Sequence, residues 1–213
     1  MNPTPPAITI ADHSALELAF RAIELVRPVG ELEDPSCLAP WLAPIAPGPV
    51  PFAREPDTKD LVRAMLRVGG FKPSGRSKPA SEYLAGAAAE GRLAPINLVV
   101  DAANAASLHG GLPISVVDLD LAREPYSVAV RGPDERYVFN AAGQEIELAG
   151  LVCLGDASGP CASPVKDSHR TKTHALTRRA LIVVWGVRTR GGLAGAVAEW
   201  AVELLRGAGA VRR

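Results

Sequence analysis

The chain has 213 residues, and its 23 basic and 23 acidic side chains give a formal net charge of zero at pH 7. This balance excludes a global attraction to nucleic acid or to an anionic membrane, so an RNA partner must meet a local basic patch. No apolar run approaches the roughly 18 residues of a membrane-spanning helix. The length allows one sizeable core, and we expect a single domain over residues 1–213.

The N-terminal residues and the cysteines predict a cytoplasmic protein. The first residues, MNPTPPAITIADHS, lack the basic flank and the apolar core of a signal peptide. The three cysteines are odd in number, which is typical of free thiols in a reducing compartment. Nucleotide hydrolysis and dinucleotide binding are not indicated, because the sequence has neither a Walker lysine loop nor a GxGxxG motif after a strand. We expect no cofactor, and the spacing of the candidate metal ligands considered below predicts no metal either.

The first 56 residues are predicted to form a short strand, a helix and a proline-rich loop. Ile8–Ile10 is the strand candidate. Ser14 and Glu17 have capping-box spacing, and apolar residues at helical spacing follow them, so residues 14–26 are predicted to be an amphipathic helix. Seven prolines between residues 35 and 56 predict an extended loop, which its large apolar side chains, such as Trp41 and Phe52, pin to the body.

The middle of the chain predicts two helices followed by a strand–helix–strand unit. Residues 57–68 form one helix, which Gly69-Gly70 ends, and residues 81–89 form the next. The unit itself is Ile96–Asp120, INLVVDAANAASLHGGLPISVVDLD. Its apolar run Leu98-Val99-Val100 predicts a buried strand, the small residues that follow predict a short helix, and Val116-Val117 predicts the second strand.

After this unit the pattern becomes that of a β-sheet. Alternating or continuous apolar residues predict strands over residues 127–131, 136–140, 145–148, 151–154 and 180–185, with a loop over 157–164 and a last helix over 193–205. Helices come first, antiparallel strands follow and one helix closes the chain. That order predicts an α+β fold rather than alternating βαβ units.

Four polar residues lie near the element ends of Ile96–Asp120, where side chains reach a pocket: Asp101, Asn104, Ser115 and Asp118. A triad of Ser115, His109 and Asp118 is one interpretation, but nothing like a nucleophile elbow surrounds the serine. A zinc site is another, because two cysteines and two histidines have the spacing C-x7-C-x7-H-x4-H. That spacing is wider than in zinc ribbons or fingers, and Cys153 lies within an apolar strand, which favours a core residue.

Two further segments concentrate polar side chains. Lys72, Arg76 and Lys78 lie among Pro, Ser and Gly, which suits a loop that faces phosphates, although a solvated turn has the same composition. Residues 166–179 supply hydroxyls, a carboxylate and a guanidinium between two strands. Such a set can hold an amino acid, or a ribose and phosphate, and the alternative is a hydrated hairpin loop.

Both segments and Ile96–Asp120 carry a family resemblance. Ile96–Asp120 resembles the stretch V-D-x-T-N, short helix, G-x-P-x-H-x-x-D of the B3/4 domain in the phenylalanyl-tRNA synthetase beta subunit. The run after Asp167 resembles the D-x-x-R-T-K-x-T-x-x-T-K-x-A-L pattern of stand-alone members, and Gly70–Leu84 fits their lead-in. The resemblance covers roughly residues 57–187.

The resemblance implies a three-layer β/β/α sandwich-like arrangement with mostly antiparallel sheet, and an activity. In the synthetase this domain hydrolyses misacylated Tyr-tRNA. Asn104 and Asp118 stand where the family has them, whereas Ala103 replaces a threonine and Ser115 replaces the histidine. The family glutamate falls near Val183 or Val184. The resemblance therefore implies a changed specificity, in favour of an apolar or small amino-acid side chain.

Two functions stay open on this basis, beside a third interpretation in which the protein keeps the fold and has only a structural role. The first is an aminoacyl-tRNA deacylase that acts in trans, with Asn104, Ser115 and Asp167 positioning the water and the α-amino group. Further substrate contacts are then expected from Asp118, Arg170, Thr171, Thr173 and Thr177, and tRNA contacts from Lys72, Arg76, Lys78, Lys166, Lys172 and Arg178. The second is a module of the same fold that binds tRNA or an amino acid without chemistry.

Overall fold

The computed structural model describes residues 3–32 and 35–211, so Met1, Asn2, Glu33, Asp34, Arg212 and Arg213 lie outside the described residues. Within them the chain forms nine strands and four α-helices, an α+β fold as predicted. The strands are β1 (Ile8–Ile10), β2 (Leu16–Glu24), β3 (Ile114–Asp118), β4 (Tyr126–Val130), β5 (Arg136–Val138), β6 (Glu145–Glu147), β7 (Val152–Asp156), β8 (Gly159–Ala162) and β9 (Arg179–Val187). The helices are α1 (Thr58–Arg67), α2 (Ala80–Ala89), α3 (Leu98–Gly110) and α4 (Leu193–Gly207).

The strands form one mixed and two antiparallel sheets. The four-stranded sheet has the order β1-β4-β7-β8, in which only the β1–β4 pairing is parallel. The three-stranded sheet has the order β2-β9-β3, and β5 pairs with β6 alone. Strand β9, RALIVVWGV, is buried at every position after Arg179, as expected for an apolar central strand. Helices α3 and α4 pack against each other and against this three-stranded sheet.

The predicted N-terminal helix over residues 14–26 is wrong. Residues Leu16–Glu24 form β2, which pairs antiparallel with all nine residues of β9. The apolar spacing and the capping-box letters suit a helix locally, but β9 needs a hydrogen-bonding partner on each edge, and this tertiary demand prevails.

The proline-rich segment is irregular over most of its length, as predicted, but its first eight residues, Pro35–Leu42, form a 3-10 helix. The segment is held against the body as expected, because the rings of Trp41 and Phe52 both make edge-to-face contacts with the ring of Trp200 in α4. The centroid separations are 5.3 and 5.4 Å.

The predicted strand at Leu98-Val99-Val100 is also wrong, because these residues form the first turn of α3. The Asn97 side chain accepts a hydrogen bond from the backbone N–H of Val100 at 3.0 Å and caps the helix. Asp101 accepts from the backbone N–H of Ile96 at 2.9 Å. Ten of the thirteen residues of α3 are buried, so the helix has no polar face whose period would distinguish it from a buried strand.

The other predicted elements are present with shifted ends, and one strand was missed. The residues predicted to be a loop, 157–164, contain β8, which pairs with β7 across a short turn. Cys153 lies in β7 and is fully buried, which confirms its assignment to the core. No helix in residues 3–32 and 35–211 combines the length and the apolar character needed to cross a bilayer.

Candidate functional site

A cavity of about 330 Å³ lies between α3, β3 and the segment before β9. Helix α3 contributes positions spaced three, six and seven residues after its cap, which lie on one helical face. Strand β3 contributes two residues that are two apart and share a face of the sheet. The lining residues are Ile96, Asn97, Val100, Ala103, Asn104, Ile114, Val116, Asp167, Lys172 and Thr173.

Asp167 is the acidic residue of this cavity, and a short network of hydrogen bonds holds its carboxylate in place. Its Oδ1 accepts from the Ser115 hydroxyl at 2.7 Å and from the Ser163 backbone N–H at 3.2 Å. Trp185 Nε1 in turn donates to Ser115 Oγ at 2.9 Å. Ser115 itself is fully buried and lies behind Asp167 rather than on the cavity surface. The carboxyl is therefore fixed in position by buried partners.

Burial raises the pKa of Asp167 to about 6, because the low-dielectric surroundings disfavour the charged form. The hydrogen bonds from Ser115 and Ser163 act in the opposite direction, as does the positive charge of Lys172. A carboxyl with this pKa exchanges a proton close to neutral pH. It can accept a proton from water or pair with an ammonium group in its charged form.

Asn104 and Thr173 are the other polar groups that face the cavity without a structural task. Within the described residues, neither side chain makes a hydrogen bond, and both are half-buried. Two other polar lining residues are occupied: Asn97 caps α3, and Lys172 Nζ donates to the Phe139 carbonyl at 2.7 Å. The amide and the hydroxyl are therefore available to a ligand.

A larger cleft, of about 840 Å³, adjoins the cavity, and we call it the basic cleft. It is lined by Gly70, Phe71, Lys72, Arg76, Ser77, Phe139, Gln144, Glu145, Ile146, Glu147, Ala149 and Lys166. Lys166 Nζ lies 3.9 Å from the centroid of the Phe139 ring. Burial lowers the pKa of Lys166, and the charges of Arg76 and Lys172 lower it further. Lys166 of the cleft lining precedes Asp167 of the cavity lining, and Lys172 of the cavity lining donates to the carbonyl of Phe139 in the cleft lining, so the two pockets are neighbours.

At one wall of the basic cleft, the backbone at Gly150 packs closely against the backbone at Gly69–Phe71. Gly150 has a φ of +74°, and a Cβ there would lie 2.5 Å from the carbonyl oxygen of Gly69 and 2.7 Å from the backbone nitrogen of Phe71. Only glycine allows the backbones to approach this closely. The turn between β6 and β7 therefore packs directly on the residues that lead into Phe71 and Lys72.

Asp118, Thr171 and Thr177, which were predicted to contact the substrate, do not line the cavity and instead make buried hydrogen bonds within the protein. The Oδ2 atom of Asp118 accepts from the Thr177 hydroxyl at 2.5 Å, and both side chains are fully buried. Thr171 is buried and donates to the carbonyl of Cys161 at 3.2 Å.

The remaining predicted contacts are divided between the site and other surfaces. Arg170 makes a bidentate ion pair with Asp156, at 2.9 and 2.8 Å, outside the cavity. Lys78 lies 4.3 Å from the centroid of the Tyr83 ring, and Arg178 is exposed immediately before β9; neither lines the basic cleft. Thr173 lines the cavity together with Asn104 and Asp167.

The two alternatives to this site do not assemble. His109 Nε2 lies 2.9 Å from the carbonyl oxygen of Trp41, and Ser115 is engaged by Asp167 and Trp185, so no Ser–His–Asp triad forms. Across the described ranges, no group of three or more His, Cys, Asp or Glu side chains is placed to hold a metal ion.

Sequence reasoning missed Val100, Ile114, Ser163 and Trp185. Val100 and Ala103 share a face of α3 with Asn97 and Asn104, and recognition of Asn97 as a helix cap would have revealed that face. Trp185 meets Ser115 through a tertiary contact across 70 residues, for which the sequence carries no local signal. Ser163 lies four residues before Asp167, and its backbone N–H makes a local contact within the loop.

The model of the family described as "B3/4 domain" matches residues 70–190, more than half of the chain. The chain belongs to the B3/4 domain family. The match contains β3, the segment with Asp167 and the basic cleft, and it begins 13 residues after the start of the predicted match at residue 57.

Among solved structures, the B3/4 domain protein is similar to the crystal structure of an N-terminal fragment of the phenylalanyl-tRNA synthetase beta subunit from Pyrococcus horikoshii. The two are 16% identical with a TM-score of 0.45, and the alignment covers 52% of this chain and 40% of that fragment. The chain thus spans less than half of the fragment's length. No curated protein matches the chain.

Proposed function

We propose that this B3/4 domain protein hydrolyses the ester bond of a misacylated tRNA in trans. The observation that carries the proposal is the junction of the two pockets, where a carboxyl with a pKa of about 6 in Asp167 lies beside the basic cleft. A substrate with a small amino-acid moiety and a polyanionic body matches that pair of surfaces. Membership of the B3/4 family supports the same substrate class.

In the proposed mechanism, the aminoacyl group enters the cavity and the acceptor end of the tRNA lies along the basic cleft. Ionised Asp167 accepts a proton from a water molecule, whose oxygen attacks the ester carbonyl carbon. The bond from that carbon to the ribose oxygen then breaks, and the ribose oxygen takes up the proton. The Asn104 amide is available to donate to the carbonyl oxygen, where negative charge develops.

Ser115 is a positioning residue in this proposal, because it lies behind Asp167 and holds its Oδ1. Lys72, Arg76 and Lys166 provide the positive charge for phosphates in the basic cleft. Lys172 stands at the boundary between the two pockets and holds the Phe139 carbonyl.

The second candidate is a module that binds tRNA or an aminoacyl group without hydrolysis. It is favoured by the family positions that have changed: Ala103 and Ser115 replace hydrogen-bonding side chains, and Val183 and Val184 are fully buried in β9. This form needs the basic cleft and the cavity but not the proton transfer at Asp167.

A panel of misacylated tRNAs tests the proposal. We expect hydrolysis of at least one member above the buffer rate, a loss of activity in Asp167→Asn of about 100-fold or more, and retained activity in the control Asp120→Asn. Asp120 is a carboxylate outside both pockets. Saturable tRNA binding without turnover on any member would favour the binding module, and neither binding nor turnover would contradict both forms.

A further inference from the structure

The part of the cavity away from Asp167 is aliphatic. Val100 and Ala103 of α3 face Ile114 and Val116 of β3 across it, and we call these four residues the aliphatic wall. Ile96 stands at the mouth and is 64% exposed. The lining contains neither an aromatic ring nor a charged side chain other than Asp167 and Lys172.

The aliphatic wall offers no partner to a buried hydroxyl. Among the polar lining residues, Asn97 is occupied as the helix cap and Lys172 by the Phe139 carbonyl. Asn104, Thr173 and Asp167 remain for the α-amino and ester groups that any aminoacyl moiety brings. A side-chain hydroxyl buried against the wall would lose its hydrogen bonds to water without replacement, which is unfavourable.

The size of the cavity limits the ligand further. At about 330 Å³ it lies at the lower end of the range for small-molecule pockets, roughly 300 to 1,000 Å³. Part of that volume must hold the ester and the amino group. Ala103 is 3% exposed and belongs to the helical face that lines the cavity, so any larger side chain at that position extends into the space that remains.

We infer that the aliphatic wall is the side-chain subsite for a branched aliphatic amino acid of the size of valine, isoleucine or leucine, and that Ala103 sets the upper size limit. This inference rests on the proposed function for the presence of an aminoacyl ester, but binding alone can test it. It identifies the class of misacylated substrate as aliphatic rather than aromatic or hydroxylated.

The experiment measures binding of 3′-aminoacylamino-3′-deoxyadenosines, in which an amide replaces the labile ester. Valyl, isoleucyl, leucyl, seryl, phenylalanyl and tyrosyl forms are compared by calorimetry. We expect the best aliphatic form to bind at least about 10-fold more tightly than the seryl and tyrosyl forms, the factor typical of one buried methylene or more. Equal or tighter binding of the tyrosyl form would overturn the inference, and so would the absence of binding by every form.

Two variants test the wall itself. Ala103→Val should weaken the binding of the isoleucyl and leucyl forms by about 10- to 200-fold. The control Ala196→Val makes the same change at a half-buried helical position of α4 that lines neither pocket. Ile114→Ala enlarges the opposite side and should improve the binding of the phenylalanyl form relative to the valyl form. Far-ultraviolet circular dichroism and thermal melting establish that each variant is folded.

The results separate this inference from the proposed hydrolysis. Selective binding of aliphatic forms without turnover on any tRNA would support the wall and contradict the hydrolysis. Turnover of tyrosyl and seryl esters at the rate of the isoleucyl ester would support the hydrolysis and contradict the wall. An Ala103→Val variant that folds and binds every form as the wild type does would contradict the role of Ala103.

Discussion

At mildly acidic pH, the Asp167 carboxyl keeps its proton in the folded protein, whereas the same carboxyl in the unfolded chain has already lost it. Its pKa of about 6 lies above the ordinary value of 3.8 because the carboxyl is buried. The contribution of the protonated carboxyl to stability is therefore fully present below about pH 4 and is lost as the pH rises through 6. Burial also raises the pKa of Asp101 to about 6, so this carboxyl acts in the same pH window and in the same direction.

The replacement Asp167→Asn should remove one of these two contributions. We expect the free energy of unfolding to fall less steeply between pH 4 and 6 than in the wild type, with a difference of at most about 1.4 kcal/mol per pH unit. Urea unfolding across that range measures the two slopes. In the control Asp120→Asn, the slope above pH 5 should stay as in the wild type: partial burial of Asp120 is outweighed by hydrogen bonds from Arg179 and the backbone, which lower its pKa and confine its effect on stability to more acidic pH. Equal slopes in the wild type and Asp167→Asn would contradict the assigned burial effect.

Ser115 joins the acid of the cavity to the core. Its hydroxyl donates to Asp167 and accepts from the indole N–H of Trp185, which is fully buried. In Ser115→Ala the indole donor loses its partner, and we expect the free energy of unfolding to fall by about 1 to 3 kcal/mol. The pKa of Asp167 should rise further, because a hydrogen bond that favours its charged form is gone.

Chemical denaturation and an NMR titration of the Asp167 carboxyl carbon measure these two effects. Ser158→Ala is the control, since Ser158 is exposed in the β7–β8 turn and its removal should change stability by less than about 0.5 kcal/mol. A Ser115→Ala protein as stable as the wild type would show that the Trp185 indole finds another acceptor.

At the scale of the element, α3 shows which part of the site could be predicted from the sequence. The position of Asn104 near an element end predicts a pocket residue, and Asn104 does line the cavity. The sequence does not predict that Val100 and Ala103 share the cavity with it. An almost fully buried helix shows no polar–apolar periodicity, and its apolar start resembles a strand. The Asn97 cap was the one local sign of a helix at this point.

The same limit applies to β2. Its sequence satisfies the spacing of an amphipathic helix, and only the pairing with β9, more than 150 residues later in the chain, makes it a strand. The contact of Asp167 with Ser115 also arises from the tertiary fold, across 52 residues, whereas its contact with Ser163, four residues away, is local. Sequence patterns thus predicted the class of the fold and the polar residues, whereas long-range pairing determined which of them meet.

The cap of α3 can be tested separately from the cavity chemistry. In Asn97→Ala the backbone N–H of Val100 loses its acceptor, and the free energy of unfolding should fall by about 0.5 to 2 kcal/mol. Asn97→Asp keeps a capping oxygen and places a negative charge at the helix N-terminus, so it should retain most of the stability. Urea unfolding of both variants at pH 7 measures the difference. If both variants lose equal stability, the amide contributes through the cavity lining and not as a cap.

At the scale of the whole molecule, the charge distribution matters more than the net charge. The total is zero, yet Lys72, Arg76 and Lys166 line one cleft, and two carboxylates, Glu145 and Glu147, line it too. A phosphate backbone that lies in this cleft must therefore contact the cations selectively. The proposed tRNA binding then depends on a few local contacts, each of which contributes to the salt dependence of the affinity.

Single replacements of Lys72, Arg76 and Lys166 by Ala should each weaken tRNA binding, and each should reduce the slope of log K against log salt by about 0.7 to 0.9 in magnitude, as one phosphate contact is lost. Binding titrations between about 50 and 200 mM salt measure these slopes. Arg27→Ala is the charge-matched control, because Arg27 is exposed and lines neither pocket; it should leave the slope unchanged. If Arg27→Ala reduces the slope as much as the three cleft variants do, the attraction is spread over the surface and the basic cleft is not the tRNA interface.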